Sequence, residues 1–276
     1  MCRWLAYTGD SILLEDLVFK AKHSLIDQSL ASRSVETPTN GDGFGIGWYD
    51  RRERPGLFRS IRPAWNDYNL RDLAAHIESP MFLAHVRAAS IATVQETNCH
   101  PFRYRNWLFV HNGEIHNVEK MRRDLLLAVS PELFPNILGT TDSEVMFYLA
   151  LTLGLEDDPL GALARTAGLI EELARDRGVS EALWMTLGVS DGRTIYAVRY
   201  ASDGEAPSLH YSHHSDDICR LNPRLEGCFG PTTRIVVSEP IEALVDAWIH
   251  VPQNSSLRVE EGEVDVRPFV PEPPDA

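Results

Sequence analysis

The stretch TPTNGDGFGIGWYD, residues 37–50, constrains the fold more than any other part of the chain. Glycine occupies positions 43, 45 and 47, and the residues between and after them are Phe44, Ile46 and Trp48. A period of two predicts a β-strand, because successive side chains point to opposite faces of a sheet. A strand with a bare glycine face allows close approach by another backbone or a ligand. A dinucleotide-binding loop is less well supported, since no helix-forming stretch follows Gly47.

The order of the remaining predicted elements favours an α+β fold. Strands are predicted at 3–8, 57–61, 81–87, 106–111, 183–190, 194–200, 209–212 and 234–239, with a closing hairpin over 256–269 that turns at Glu-Gly. Helices are predicted at 13–30, 117–129, from near 141, and at 160–177. Strands come in groups with helices in a middle block, unlike a repeating βαβ chain. We expect one domain, 1–276, with a disordered tail over 270–276.

Charge and hydropathy exclude two classes of partner. The 276 residues include 26 basic and 40 acidic ones, and the net charge of −14 argues against binding to a nucleic-acid backbone. The longest apolar run, 145–155, is too short for a bilayer span of about 20 residues. The N-terminus lacks the basic and apolar regions of a signal peptide. We therefore expect a cytoplasmic protein with neither a nucleic-acid nor a membrane partner.

The cysteines and histidines predict no metal or cofactor site. Cys2, Cys99, Cys219 and Cys228 form no C-x-x-C pair, which argues against a zinc ribbon or a thioredoxin-like site. A disulfide between Cys219 and Cys228 fits the spacing, but reduced thiols are expected because nothing marks the chain as secreted. The three histidines of HYSHH, 210–214, lack a carboxylate that would complete a ligand set.

The second residue is a candidate nucleophile. In the opening MCRWLAY, removal of Met1 would leave the thiol and the free α-amine of Cys2 on one carbon. An α-amine, with a pKa of about 8, is close to the ideal general base at neutral pH. Cys2 could thus be activated by its own amine, directly or through one water. The alternative is a structural thiol at the start of an edge strand.

The segment FVHNGEI, 109–115, contains candidate oxyanion donors. An apolar strand is predicted to end at His111-Asn112-Gly113, and Asn-Gly after a strand is a turn signal. Alternatively, Asn112 offers a side-chain N–H group and Gly113 an accessible backbone N–H group for an oxyanion hole. Both interpretations stay open on this segment alone.

The strand AHVRAAS, 84–90, carries a candidate anion-binding arginine. Alternation places His85 and Arg87 on the face opposite the apolar residues. An arginine at the end of an apolar strand suits bidentate capture of a carboxylate, and a salt bridge at the rim is the alternative. The nearby TNCHPF, 97–102, adds Asn98 and His100 as candidate supporting groups. His85 is a third candidate of the same kind.

A candidate cation-binding carboxylate begins the helix predicted near 141. In GTTDSEV, Thr141 and Glu144 are predicted to form a capping box, which places Asp142 in the first helical turn. Asp142 could accept a substrate ammonium group. The alternative is that it only complements the helix macrodipole.

Taken together, these motifs resemble the class-II glutamine amidotransferase family, whose members use an N-terminal nucleophile. The resemblance rests on MCRWLAY, NGDGFGIGWY, HVRAAS, NCHPF, HNGEI, TTDSE, VVSEP and VPQNSSLRV, in that order over nearly the whole chain. Each motif alone is loose, but the ordered set is specific. The chain is most similar to the stand-alone branch, which includes the ergothioneine-pathway γ-glutamyl hydrolase.

The resemblance implies a four-layer αββα sandwich of two antiparallel sheets. It also implies that Cys2 is the nucleophile and that its amine is the base. Arg87 would bind the α-carboxylate of a glutamyl group and Asp142 its α-ammonium, while Asn112 and Gly113 would hold the oxyanion. The implied reaction cleaves a γ-glutamyl amide through a thioester on Cys2 and releases glutamate and an amine.

Two departures from the family bear on the substrate. The segment after Arg87, AASIAT at 88–93, differs from the Trp-Ala-Thr-His type of the amidotransferases that make amino sugars, so Ser90 and Thr93 are candidates to complete the substrate clamp. No synthetase domain follows the motifs. The expected activity is therefore hydrolysis of a small γ-glutamyl compound, or a glutaminase that supplies ammonia to a synthetase subunit. The alternative is a catalytically idle glutamine or γ-glutamyl sensor.

Overall fold

The computed structural model describes residues 2–31, 39–89, 93–213, 229–241 and 247–273. Its strands are β1 (Arg3–Leu13), β2 (Phe44–Trp48), β3 (Gly56–Ser60), β4 (Glu78–Val86), β5 (Phe102–Tyr104), β6 (Trp107–Ile115), β7 (Leu183–Ser190), β8 (Thr194–Ala201), β9 (His210–Ser212), β10 (Arg234–Val237), β11 (Trp248–His250), β12 (Ser255–Glu260) and β13 (Glu263–Pro268). Its α-helices are α1 (Leu14–Val18), α2 (Leu25–Leu30), α3 (Tyr68–Ala74), α4 (Arg122–Ala128), α5 (Asp142–Thr152) and α6 (Pro159–Asp176). Short 3-10 turns cover Ala64–Asn66, Glu96–Asn98, Val118–Lys120 and Phe134–Asn136.

Two antiparallel sheets lie at the centre of the fold. Within the described ranges, one sheet has seven strands in the order β11-β9-β10-β1-β4-β2-β3, and the other has six in the order β13-β12-β8-β7-β6-β5. The strand pairings in both sheets are antiparallel. The closing hairpin of β12 and β13 is the one that the sequence predicts.

Side-chain alternation along β1 separates the layers. Leu5 and Tyr7 pack with the apolar residues of α1 and α2, whereas Trp4 and Ala6 pack between the sheets, in one cluster with Val110 of β6. A third cluster joins the outer face of the six-stranded sheet to α4, α5 and α6. Helices thus cover both outer faces, and the predicted α+β class and αββα sandwich are confirmed.

The glycine face of β2 is filled by protein. A Cβ atom on Gly45 would lie 2.3 Å from the carbonyl oxygen of His100, and one on Gly43 would lie 2.6 Å from Sγ of Cys99. A Cβ atom on Gly47 would lie 2.7 Å from a methyl carbon of Leu108. The predicted strand and the close approach are therefore both present, and the approaching groups are the 99–100 loop and β6.

Several predicted elements differ in their bounds, among them the strand predicted over 3–8, which continues to Leu13. The helix predicted over 13–30 is two helices, because Ser24 starts α2 with its own capping box to Asp27. The helix predicted from 117 begins at Arg122, after a left-handed residue at Asn117 and a 3-10 turn. The strand predicted to end at 111 continues to Ile115, because β7 pairs with it along its length.

Several expectations fall at the limits of the described ranges. Ser90, His214 and both Cys219 and Cys228 lie outside them. In the predicted tail, residues 270–273 are described, and the N–H group of Glu272 donates to the carbonyl oxygen of Ala164 on α6 at 3.0 Å. Among the described helices, none is both long and apolar enough to cross a membrane.

Candidate active site

The register of two adjacent strands brings Cys2 and Arg87 together. Arg3 on β1 pairs with Val86 on β4, so the residues one step further out, Cys2 and Arg87, lie at the same end of neighbouring antiparallel strands. The Sγ atom of Cys2 lies 3.6 Å from the carbonyl oxygen of Ala88. Cys2 and Arg87, 85 positions apart in the sequence, are thus neighbours because β1 and β4 pair.

Asp42, which the sequence analysis did not select, fixes the backbone around Arg87. Its N–H group donates to the carbonyl oxygen of Arg87 at 3.0 Å, and its own carbonyl oxygen lies 3.4 Å from Nη1 of Arg87. Its carboxylate accepts from the N–H group of Ala89 at 2.8 Å. The sequence signal that could have identified Asp42 is its position just before the glycine-rich strand β2.

The environment of Cys2 keeps its thiol protonated. Burial raises the pKa of the Cys2 thiol, and the Ala88 carbonyl and the charges of Arg87 and Arg3 oppose this only in part. This environment favours the thiol over the thiolate. Chemistry at this sulfur requires a base that removes the proton.

A contact between the sheets places Asn112 near the start of β1. Nε1 of Trp4 lies 3.4 Å from Oγ1 of Thr186, which pairs with Asn112 on β6 and lies 3.5 Å from the Asn112 carbonyl oxygen. Asn112 is 3% exposed, and its Oδ1 has no hydrogen-bond partner among the described residues. Its side chain is thus held in the interior between the sheets, on the side where β1 begins.

Asn112 and Gly113 lie within β6, so the turn interpretation is wrong. Gly113 pairs with Met185 of β7, and its φ of 149° lies in the region that favours glycine. A Cβ atom on Gly113 would lie 1.9 Å from the carbonyl oxygen of Trp184. Long-range pairing with β7 therefore overrides the local turn preference of Asn-Gly and requires glycine at this position.

Asp142 is oriented by backbone groups. Its Oδ2 accepts from the N–H group of Ile115 at 2.8 Å, and its Oδ1 accepts from the N–H group of Ser143 at 2.7 Å. The first bond connects α5 to β6, two residues beyond Gly113. The carboxylate is thereby fixed at the N-terminus of α5 and keeps further lone pairs for a cation.

One of the two hydrogen bonds of the predicted capping box is present at the start of α5. Oγ1 of Thr141 accepts from the N–H group of Glu144 at 3.1 Å, as predicted. The Glu144 carboxylate instead accepts from the N–H groups of Leu138 at 3.1 Å and Gly139 at 2.6 Å. Glu144 therefore fixes the loop that enters the helix and does not complete the box.

Three buried histidines lie behind the candidate site. His85 and His100 stack with ring centroids 4.2 Å apart, and Nε2 of His85 is 3.2 Å from the carbonyl oxygen of His111. Nδ1 of His111 lies 2.8 Å from Oγ of Ser143. Burial lowers the pKa of His85 to about 3 and also lowers the pKa values of His100 and His111. All three rings are neutral at neutral pH.

Asn98 holds the loop between His85 and His100. Its Nδ2 donates to the Thr93 carbonyl oxygen at 2.9 Å and to Oγ1 of Thr140 at 3.0 Å, while its Oδ1 accepts from the N–H group of Thr140 at 2.7 Å. Asn98 thus connects this loop to the segment that leads to Asp142. Thr93 is exposed, and its described contact is made by its backbone.

The described histidines of the HYSHH segment form no metal centre. The ring of His210 packs edge-on against that of His250, with centroids 4.9 Å apart. In the part of the chain that the structure describes, no group of three His, Cys, Asp or Glu side chains is arranged to hold a metal ion.

The chain matches a known family along most of its length. Residues 2–265 match the model described as glutamine amidotransferases class-II. The chain is 35% identical over 305 residues to the probable glutamine amidotransferase DUG3 of Saccharomyces cerevisiae. The alignment covers 99% of this chain and 85% of that protein. It is 32% identical over 271 residues to the γ-glutamyl-hercynylcysteine sulfoxide hydrolase of Mycolicibacterium smegmatis. That alignment covers 98% of this chain and 100% of that protein.

Solved structures agree with this match. A glutamine aminotransferase class-II domain protein from Silicibacter pomeroyi is 35% identical, with a TM-score of 0.74 over 98% of this chain and 100% of that one. The glutamine phosphoribosylpyrophosphate amidotransferase of B. subtilis shares the fold at 14% identity, with a TM-score of 0.63 over 98% of this chain and 50% of that one. As its ordered motifs predict, the chain belongs to the class-II glutamine amidotransferase family.

Proposed function

We propose that this protein is an amidohydrolase that cleaves a γ-glutamyl amide through a thioester on Cys2. The observation that carries the proposal is the register of β1 and β4, which brings Cys2 beside Arg87. Across the sheet interface, Asn112 and Gly113 lie on β6, and Asp142 is bonded to the same strand through Ile115. A nucleophile, an anion-binding group, oxyanion donors and a cation-binding group are thus contributed by elements that contact one another.

The proposed reaction has two halves with one base. With Met1 removed, the α-amine of Cys2 takes the thiol proton, and the thiolate attacks the amide carbon. The tetrahedral intermediate collapses as the ammonium group returns that proton to the leaving nitrogen, which breaks the C–N bond and forms a γ-glutamyl thioester. Water, deprotonated by the same amine, then adds to the thioester carbon. The C–S bond breaks, glutamate is released, and the ammonium group returns its proton to the Cys2 thiolate. The raised pKa of the Cys2 thiol supports the need for this base.

Two charged residues would recognise the glutamyl group. The Arg87 guanidinium suits the α-carboxylate, because its planar fork matches two oxygens. The Asp142 carboxylate, already held by two backbone N–H groups, would accept the α-ammonium. Thr93 and Ser90 remain candidates to complete the clamp. Both charges of an amino acid would thereby be required for binding.

The leaving amine distinguishes two versions of the proposal. One relative is named a hydrolase of a γ-glutamyl compound larger than glutamine, which supports a stand-alone hydrolase. Another is named a probable glutamine amidotransferase, which supports a glutaminase that supplies ammonia to a synthetase partner. A small γ-glutamyl molecule is the substrate in both versions.

We expect the purified protein to release glutamate from at least one γ-glutamyl amide. The same amide without its α-amine should react about 30-fold or more slowly in kcat/KM, because an unpaired Asp142 charge costs about 2–5 kcal/mol. The measurement is glutamate release from glutamine and from γ-glutamyl amides with increasingly bulky leaving amines. Binding of these amides without any glutamate release would favour the idle sensor instead.

The same series separates the two versions. A closed ammonia pocket should reject bulk, because overpacking costs about 1–3 kcal/mol. Equal or faster turnover of bulky amides would support the hydrolase. If glutamine is much the better substrate, and a co-purifying synthetase raises its turnover, the stand-alone hydrolase is wrong.

Replacement of Asn112 by alanine is expected to lower kcat by about 10²–10³-fold, the effect of losing one oxyanion donor. KM should change much less, because the donor faces charge that develops in the transition state. Asn106→Ala is the matched control, since that amide donates to the carbonyl oxygen of Asp191 in a turn away from Cys2. Unchanged kcat with a raised KM would instead assign Asn112 to substrate binding.

A further inference from the structure

A buried ion pair contacts the backbone of Cys2. Nε of Arg3 donates to Oε2 of Glu239 at 2.7 Å, and the two residues are 4% and 8% exposed. Nη1 of Arg3 also donates to the carbonyl oxygen of Cys2 at 2.8 Å. A single planar side chain therefore connects a carboxylate that follows β10 to the backbone of the candidate nucleophile.

The second oxygen of Glu239 is held from the helical layer. Its Oε1 lies 2.6 Å from Nε2 of His23, just before α2. Nε2 of Gln28 on α2 donates to the carbonyl oxygens of His23 at 3.1 Å and Glu239 at 3.3 Å. The carboxylate is thus fixed on one side by α2 and on the other by Arg3, and its position cannot change without breaking these bonds.

The strand ladder itself stops short of Cys2. Ser238 bonds both backbone groups of Trp4, accepting through Oγ at 2.9 Å and donating through its N–H group at 3.1 Å. Arg3 is the first residue of β1 that pairs with β4. The carbonyl oxygen of Cys2 lies one residue before this pairing, where Arg3 binds it.

A buried ion pair adds little net stability, because the cost of removing two charges from water offsets their attraction. A chain end frays unless it is bonded, and removal of Met1 would make Cys2 a chain end. We propose that Glu239 is a positioning residue, which acts through Arg3 to hold Cys2 in the orientation needed for attack. This inference rests on the proposed function and extends it to residues outside the substrate pocket.

Glu239→Gln is the direct test, because it keeps the shape of the side chain and removes its charge. We expect kcat for the best γ-glutamyl amide to fall about 10- to 100-fold, since small displacements of a reacting group have effects of this size, with KM changed less than about threefold. Glu171→Gln is the matched control: this carboxylate on α6 accepts from Tyr200 and Ser202 in the layer against the other sheet. Its kcat should stay within about twofold of the wild type at temperatures below unfolding.

A second variant and a second measurement keep the test independent of folding and of substrate. Arg3→Lys keeps the positive charge but loses the planar fork, so it should lower kcat as Glu239→Gln does. In both variants an added aminopeptidase should remove N-terminal residues faster than from the wild type or Glu171→Gln, as followed by mass spectrometry. Unchanged kcat and unchanged trimming in both variants would overturn the inference. An inactive wild type would reject the proposed function, and the trimming rates would still decide the positioning role.

Discussion

Replacing Cys2 with alanine is expected to abolish glutamate release while the protein stays folded. Loss of a catalytic nucleophile removes the covalent route altogether, and kcat should fall by at least about 10⁴-fold. The fold should tolerate the change, because Cys2 precedes β1 and the described contact of its thiol is with the Ala88 carbonyl oxygen at 3.6 Å. The measurement is glutamate release by the variant, with thermal unfolding to confirm that it is folded.

A matched cysteine gives the control. Cys99 is fully buried, and burial raises the pKa of its thiol to about 11, so it should not react at neutral pH. Cys99→Ala should therefore keep activity, and an alkylating glutamine analogue should label Cys2 in the wild type. Labelling of Cys99, Cys219 or Cys228 would contradict the assignment of the nucleophile.

The mature N-terminus is part of the same prediction. The α-amine of Cys2 can act as the base only if Met1 has been removed. Mass spectrometry of the purified protein should therefore find Cys2 as its first residue. Retained Met1, combined with binding of γ-glutamyl amides and no turnover, would favour the sensor alternative.

The sequence predicted best those features that depend on neighbouring residues. The period of two in β2 and the cap at Thr141 are local, and both are present. Local signals failed where a distant partner decides the structure. Asn112-Gly113 has the sequence of a turn, but eight residue pairs with β7 keep it inside a strand.

The candidate site divides in the same way. Each of Cys2, Arg87 and Asp142 could be selected by its own local motif. That Cys2 and Arg87 are neighbours follows from the pairing of β1 with β4, and Asp142 is held to β6 by its bond to Ile115. The ion pair of Arg3 with Glu239 joins residues 236 positions apart, and neither motif alone indicates a bond between them. A local motif can identify a residue that carries a chemical group, but it does not identify the distant residue that binds that group.

Stability should fall steeply as the pH drops below about 6.5, before most carboxylates are protonated. Burial holds the pKa of His85 at about 3, and the pKa values of His100 and His111 are also lowered. In the unfolded chain these imidazoles bind protons below a pH of about 6.5. The folded protein binds fewer protons than the unfolded one, so acid favours unfolding.

The size of the effect follows from the number of protons. One histidine that stays neutral in the fold contributes about 1.4 kcal/mol per pH unit between its two pKa values, which for His85 are about 6.5 and about 3. Between a pH of about 6 and 4, His85 alone would therefore remove about 3 kcal/mol of a total stability of about 5–15 kcal/mol, and the lowered pKa values of His100 and His111 act in the same direction. Denaturant unfolding at a series of pH values measures this slope directly.

His100→Leu separates the buried imidazoles from the carboxylates. The ring stacks on His85, and neither ring nitrogen has a hydrogen-bond partner among the described residues, so an apolar side chain of similar size should be tolerated. The slope should become shallower by about 1.4 kcal/mol per pH unit, the contribution of one proton. Replacing the exposed His76 with glutamine should leave the slope unchanged. The contrary result is a stability that stays constant from neutral pH down to about 4.5 and falls only where carboxylates titrate. The three imidazoles would then be charged or hydrated inside the fold, and their assignment as neutral groups behind Cys2 would be wrong.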